Sequence, residues 1–144
     1  MLSNLKLDDE AKLLLRLTVA GLILFHGVNK LMNLDGTMSW MQPMLQSHGL
    51  PGFLAYFVLA GEFLAPLLIV AGFFSRIGGL LIVGNMLVAI CLVHLGQFFT
   101  LGGEGGWALE LQAFYLMGGL LVAMFGPGRY AINPVNGERL PIWA

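Results

Sequence analysis

Charge is what this sequence lacks most. Only 10% of its 144 residues are charged against 58% hydrophobic, and its mean hydropathy is +0.82. Soluble domains carry about 25% charged residues, so the composition excludes an ordinary soluble domain and points to the bilayer. Cysteine is nearly missing as well. Cys91 stands alone, which rules out an internal disulfide, a dithiol relay and a cysteine-ligated iron–sulfur cluster. A net charge of -1 offers no basic surface for nucleic acid. No flavin-binding motif, internal repeat or low-complexity segment stands out. The opening "MLSNLKLDDEAK" is acidic and polar rather than basic, and no small-x-small cleavage site follows the first apolar stretch, so that stretch is expected to be retained. The length accommodates one domain, 1–144, with no separate catalytic module.

What is present is a set of long apolar runs. Four segments, about 11–32, 53–74, 77–95 and 107–125, have membrane length, each covering roughly 28–33 Å at helical rise. The expected fold is an all-α integral membrane four-helix bundle. "NLDGTMSWMQPMLQSHGLPG" reads as a long polar and aromatic loop, "SR" as a tight turn, and "GQFFTLGGEGG" as a glycine-rich connector. The polar segment 126–144 holds enough Pro, Gly and Asn to refuse a fifth helix. Glycines 61, 72, 78, 79, 84, 118 and 119 would let helices approach closely. Trp40, Trp107 and Trp143 read as interface anchors.

The basic residues orient the chain. Lys6, Lys12, Arg16, Arg76, Arg129 and Arg139 fall on the side of both termini and the short turn, and Lys30 is alone on the other side. By the positive-inside rule both termini are cytoplasmic.

Ionisable residues inside apolar segments carry the functional signal, because they are costly in lipid and need partners. At 100° per residue, Arg16, His26, Lys30 and Asn33 share an arc of about 100° on the first helix. Glu62 lies mid-way along the second, and Pro66, one turn on, cannot donate the hydrogen bond that the Glu62 carbonyl would otherwise accept. His94 ends the third segment and Glu110 lies one turn into the fourth. His26, Lys30, Glu62, His94 and Glu110 are therefore expected to gather in the outer half of the bundle, as Lys30–Glu62 and His–Glu110 pairs or as one protonatable ligand site. Arg16 either joins them or snorkels to the headgroups. Buried pairs also fix helix register without any ligand, and that alternative stays open. A haem iron held by His26 and His94 is a further alternative that nothing in the spacing demands. His48 reads as solvated and Cys91 as packing rather than nucleophile. No metal site is expected and no catalytic residue is assigned.

"LLLRLTVAGLILFHGVNKL", "GLPGFLAYFVLAGEFLAPLLIVAGFFSRIGGLL" and "GGEGGWALELQAFYLMGGLLVAMFGPGRYAI" resemble the DoxX family of small four-helix bacterial inner-membrane proteins. The matching positions are Arg16, His26, Gly27, Lys30, Glu62, Pro66, Arg76, Glu110 and the turn from Gly126 to Arg129. Ala131 and Asn133 depart from the serine and aspartate common in the family. The resemblance implies a multi-pass protein of the cytoplasmic membrane. It also implies redox company, since some relatives are named for thiosulfate–quinone oxidoreduction and others for oxidoreductase complexes. The expected function is a quinone-linked membrane subunit, inactive without a soluble redox partner. The alternative is a non-enzymatic scaffold or anchor for a soluble enzyme. A small-solute or proton carrier fits less well, because repeated halves and paired broken helices are missing.

Overall fold

The computed structural model describes residues 7–132. Lys6, Asn133, Arg139 and Trp143 lie outside the described residues, as does most of the C-terminal segment. The described chain contains five α-helices: α1 (Asp8–Met32), α2 (Leu34–Ser47), α3 (Leu54–Ala71), α4 (Ser75–Leu92) and α5 (Glu110–Phe125). It is all-α, and α1, α3, α4 and α5 are the four helices of the expected bundle. Three of them, α1, α3 and α4, are long and apolar enough to cross a membrane. α5 is apolar but has 16 residues, about 24 Å of helix.

The main correction concerns the first connector. The stretch read as a loop folds into α2, which starts one residue after α1 ends. Its buried residues, Thr37, Met38, Met41 and Leu45, recur at helical spacing and lay an apolar stripe on the bundle. Met38, Met41 and Leu45 join Ala55 and Leu59 of α3 in a small second core. Pro43 and Gly36 disguised this helix in the sequence. Pro43 sits inside it on the exposed side.

The other boundaries shift by a few residues: α1 and α4 begin earlier than expected, at Asp8 and Ser75, and the remaining ends that move do so inward. α3 ends at Gly72, whose φ of 72° is left-handed. The amides of Gly72 and Phe73 bond back to the carbonyls of Ile69 and Leu68, a glycine-terminated cap. α4 starts at Ser75 after this turn and stops at Leu92, so His94 lies beyond it, before the 3₁₀ turn Leu95–Gln97. The glycine-rich connector closes as a tight hairpin. Gly102 N–H donates to Gly106, Ala108 N–H to Thr100, and the Trp107 indole to Phe98 O at 2.7 Å. α5 accordingly begins at Glu110 rather than at 107.

α1 packs along α3, α3 against α4, and α4 along α5. The central core is Val19, Ala20, Ile23, Ala65, Ile69, Ile82, Met86 and Val122. Glycine sets the closest approaches. A Cβ on Gly79 would lie 2.5 Å from Gly119 O and one on Gly119 2.9 Å from Gly79 O, so α4 and α5 meet backbone to backbone. A Cβ on Gly118 would lie 2.6 Å from Val19 Cγ2. Gly84, in contrast, has nothing against it, and Gly61 meets only the Asn85 side chain of α4, at ordinary contact distance. Large apolar side chains such as Leu14, Phe25, Phe57 and Phe114 face outward, each more than two-thirds exposed, as lipid contact requires.

Candidate functional site

The bundle has two chemically different ends. At one, Arg16 is buried to 1% exposure and donates four hydrogen bonds to carbonyls: Ile69 and Val70 at the end of α3, and Pro127 and Tyr130 after α5. The lengths are 2.6–2.8 Å. Gly72 leaves the room, since a Cβ there would lie 2.6 Å from the guanidinium. Arg76 does the same for α5, donating to Ala123 and Met124 O at 2.8 and 3.1 Å. Both cations sit where helix C-termini concentrate negative potential and orphan carbonyls. Arg16 thus neither snorkels nor joins the Lys30 cluster. Fourteen residues of helix, about 21 Å, separate the two.

At the other end, Lys30 in the last turn of α1 meets Glu62 in the middle of α3. The ammonium contacts both carboxylate oxygens, Oε1 at 2.6 Å and Oε2 closer still. Glu62 is buried, and Lys30 keeps a quarter of its side chain exposed. Among the described residues this is the one ion pair inside the bundle. Thr37 Oγ1, at the start of α2, donates to Lys30 O at 3.2 Å and ties α2 to the site. The Glu62 carbonyl released by Pro66 faces Gly27, where a Cβ would overlap it. α1 can approach α3 at this depth because residue 27 has no side chain.

The pair stands between two cavities that share Lys30, Glu62, Ala89 and His94. The polar chamber, about 180 Å³, adds His26, Gln112 and Tyr115. The apolar chamber, about 110 Å³, is roofed by Trp40, Met41 and Met44 of α2. His26 is exposed and stands edge-on to Tyr115, ring centroids 5.9 Å apart. His94 Nδ1 lies 3.0 Å from Gln97 Oε1. With Nδ1–H donating to that oxygen, Nε2 keeps an acceptor lone pair. Gln112 Oε1 is buried without a hydrogen-bond partner, an acceptor left open at the cavity wall.

The structure therefore brings together four of the five expected residues, His26, Lys30, Glu62 and His94. Glu110 departs. It is exposed at the start of α5, on a surface with Trp107, Ala113 and Phe114, and no His–Glu110 pair forms. Gln112, two residues on and about 200° around the helix, takes the inward position instead. Gln112 and Tyr115 were legible as polar groups three apart on an apolar helix, had neutral side chains been weighed with the ionisable ones. His48 is exposed, its Nδ1 near Met44 O and Ser47 Oγ, and Cys91 is exposed and outside both chambers. No group of three or more His, Cys, Asp and Glu is gathered among the described residues.

A helical bundle with an apolar exterior, arginine-capped helix ends and an ion pair beside internal cavities defines a multi-pass membrane protein. The DoxX family model matches residues 11–95, and the chain belongs to that family. It is 32% identical over 135 residues to "Inner membrane protein YqjF" of Escherichia coli (strain K12), covering 93% of this chain and 98% of that one. It is 34% identical over 123 residues to "Putative oxidoreductase CatD" of Bacillus subtilis (strain 168), covering 85% and 84%. No solved structure matches it.

Proposed function

We propose that this protein is a quinone-linked membrane subunit of an oxidoreductase in the bacterial cytoplasmic membrane, with both termini inside. The observation that carries the reading is the Lys30–Glu62 pair set between two cavities, with His94 on both walls and the unpartnered Gln112 oxygen on one. A purely structural pair gains nothing from adjoining empty space. The oxidoreductase in the name of one relative and the inner membrane in that of the other agree with it.

A bound quinone supplies two-electron chemistry coupled to proton uptake. The chain's own residues supply the setting. The Lys30 ammonium donates hydrogen bonds toward a carbonyl oxygen, and Glu62 holds that ammonium in place. His94 stands beside the ring with Nε2 free to accept a hydrogen bond, and the low dielectric there strengthens the Lys30–Glu62 pair. Gln112 accepts from a ring hydroxyl. The electrons come from a soluble partner carrying a flavin or thiol centre, because one exposed cysteine cannot cycle as a dithiol.

Mass spectrometry of small molecules released from the protein in mild detergent tests the reading. Near-stoichiometric quinone, lost in Glu62→Gln with folding retained, is the expected result. Phospholipid alone, in wild type and variant alike, would transfer the assignment to a scaffold whose buried pair is structural.

A further inference from the structure

The apolar chamber beside the ion pair continues outward. Leu45, Val58 and Val88 line both that chamber and a third cavity of about 320 Å³, a groove between α3 and α4. Its floor is Gly61, Gly84 and Asn85, and its walls include Phe57, Leu80 and Leu81, all three well exposed on the lipid-facing surface. The glycines at the helix–helix contacts are filled by a neighbour: Gly27 by α3, Gly78 by Ile69, Gly79 and Gly119 by each other, while Gly21, on the outer side of α1, meets nothing and adjoins no cavity. Gly84 meets nothing within 4 Å, and Gly61 meets only Asn85, at 3.6 Å. α3 and α4 pack closely at Gly78, against Ile69 and Ala65, and leave a furrow between them toward Gly61 and Gly84.

Resting on the quinone reading above, we infer that the α3–α4 groove is the lateral portal of the site and holds the alkyl or isoprenoid tail of a lipid-soluble quinone whose ring lies at Lys30–Glu62. The occupant follows from continuity. The groove is apolar where it meets lipid, runs into the chamber under Trp40 and Met44, and ends at the polar groups. An amphiphile with a polar ring and a long hydrocarbon chain matches that order of surfaces. Such a ligand reaches the site sideways from the bilayer without crossing water, and its chain rests along the groove floor that the two glycines leave free.

The test compares a decyl-substituted benzoquinone with the same ring lacking the chain, binding to the full-length protein in lipid nanodiscs and read by quenching of tryptophan fluorescence. Trp40 lines the chamber and reports on the ring. Gly84→Leu and Gly61→Val each fill the groove, and the open surroundings of both glycines let the variants fold. The expected result is a loss of about tenfold or more in affinity for the tailed quinone, in the range set by overfilling a packed site, with the tail-less ring unaffected. Glu62→Gln weakens both. Equal affinity for the tailed quinone in wild type and both variants overturns the portal while leaving the ring site standing. Saturable binding of neither quinone to the wild type overturns the site reading and the portal together. If Gly84→Leu converts a wild-type dimer to a monomer and keeps tailed-quinone binding, the groove is a contact between copies of the chain, and the portal is again overturned.

Discussion

Gly27 of α1 lies against the main-chain carbonyl of Glu62 in α3, the same residue whose side chain pairs with Lys30 one turn further along α1. Backbone contact and ion pair are thus one device. Pro66 releases the carbonyl, Gly27 admits it, and the approach that results brings the carboxylate within reach of the ammonium.

Gly27→Ala should therefore damage the site from a position that touches no ligand. The added methyl overlaps backbone rather than a flexible side chain, so the helices must part. We expect a loss of about 1–3 kcal/mol in stability, the usual cost of overpacking, together with reduced ligand content. Thermal unfolding in detergent and mass spectrometry of the released ligand measure both. Full stability in the variant would show that the contact yields easily.

Lys30 and Glu62 should behave as a coupled pair. Lys30→Met alone strands a buried carboxylate, and we expect about 3 kcal/mol or more of destabilisation. Adding Glu62→Gln removes the orphaned charge and should restore most of it. A double-mutant cycle of unfolding midpoints would return a coupling of about 1–3 kcal/mol. Additive losses would mean the two charges do not need each other. Ligand content should stay low in the double variant, separating folding from binding.

Arg16→Met should be among the most damaging single changes. It removes four donors from four carbonyls at once, in a place closed to water. Hydrogen bonds to charged groups contribute about 1.5–3 kcal/mol each, so even partial compensation leaves a large deficit. Arg16→Lys, with three donors and no planar fork, should rescue only part of it. Yield of folded protein after membrane extraction is the measurement, and wild-type yield from Arg16→Met would remove the arginine from the account of the fold.

Glu110→Gln should be nearly silent. The carboxylate is exposed at the first turn of α5 and forms no ion pair within the described residues. A stability change within about 0.5 kcal/mol and unchanged ligand content are expected. Loss of ligand would return Glu110 to the site.

Much of this could be read from residue order. The four bundle helices follow from apolar length, and the burial of Lys30 with Glu62 follows from the cost of two ionisable groups in lipid. α2 was not legible in the same way. Its stripe of Thr37, Met38, Met41 and Leu45 is amphipathic, interrupted by Pro43, and becomes a helix because α1 and α3 give its apolar face somewhere to lie. Residue order leaves Arg16 to join the Lys30 cluster or to snorkel, whereas its partners are carbonyls 53 to 114 residues away, at ends of helices that pair only in the folded chain.

The amino-acid order by itself determined the solvent this protein lives in, the helices that cross it, and which charges would need partners, because those depend on local hydropathy and on the cost of charge in lipid. Only the tertiary structure decided the partners. Rotation of α5 about its axis turns Gln112 inward and Glu110 outward, and that rotation is set by the meeting of Gly79 with Gly119 and of Gly118 with Val19. Close packing of one helix on another selects a single angle from many that the sequence alone permits.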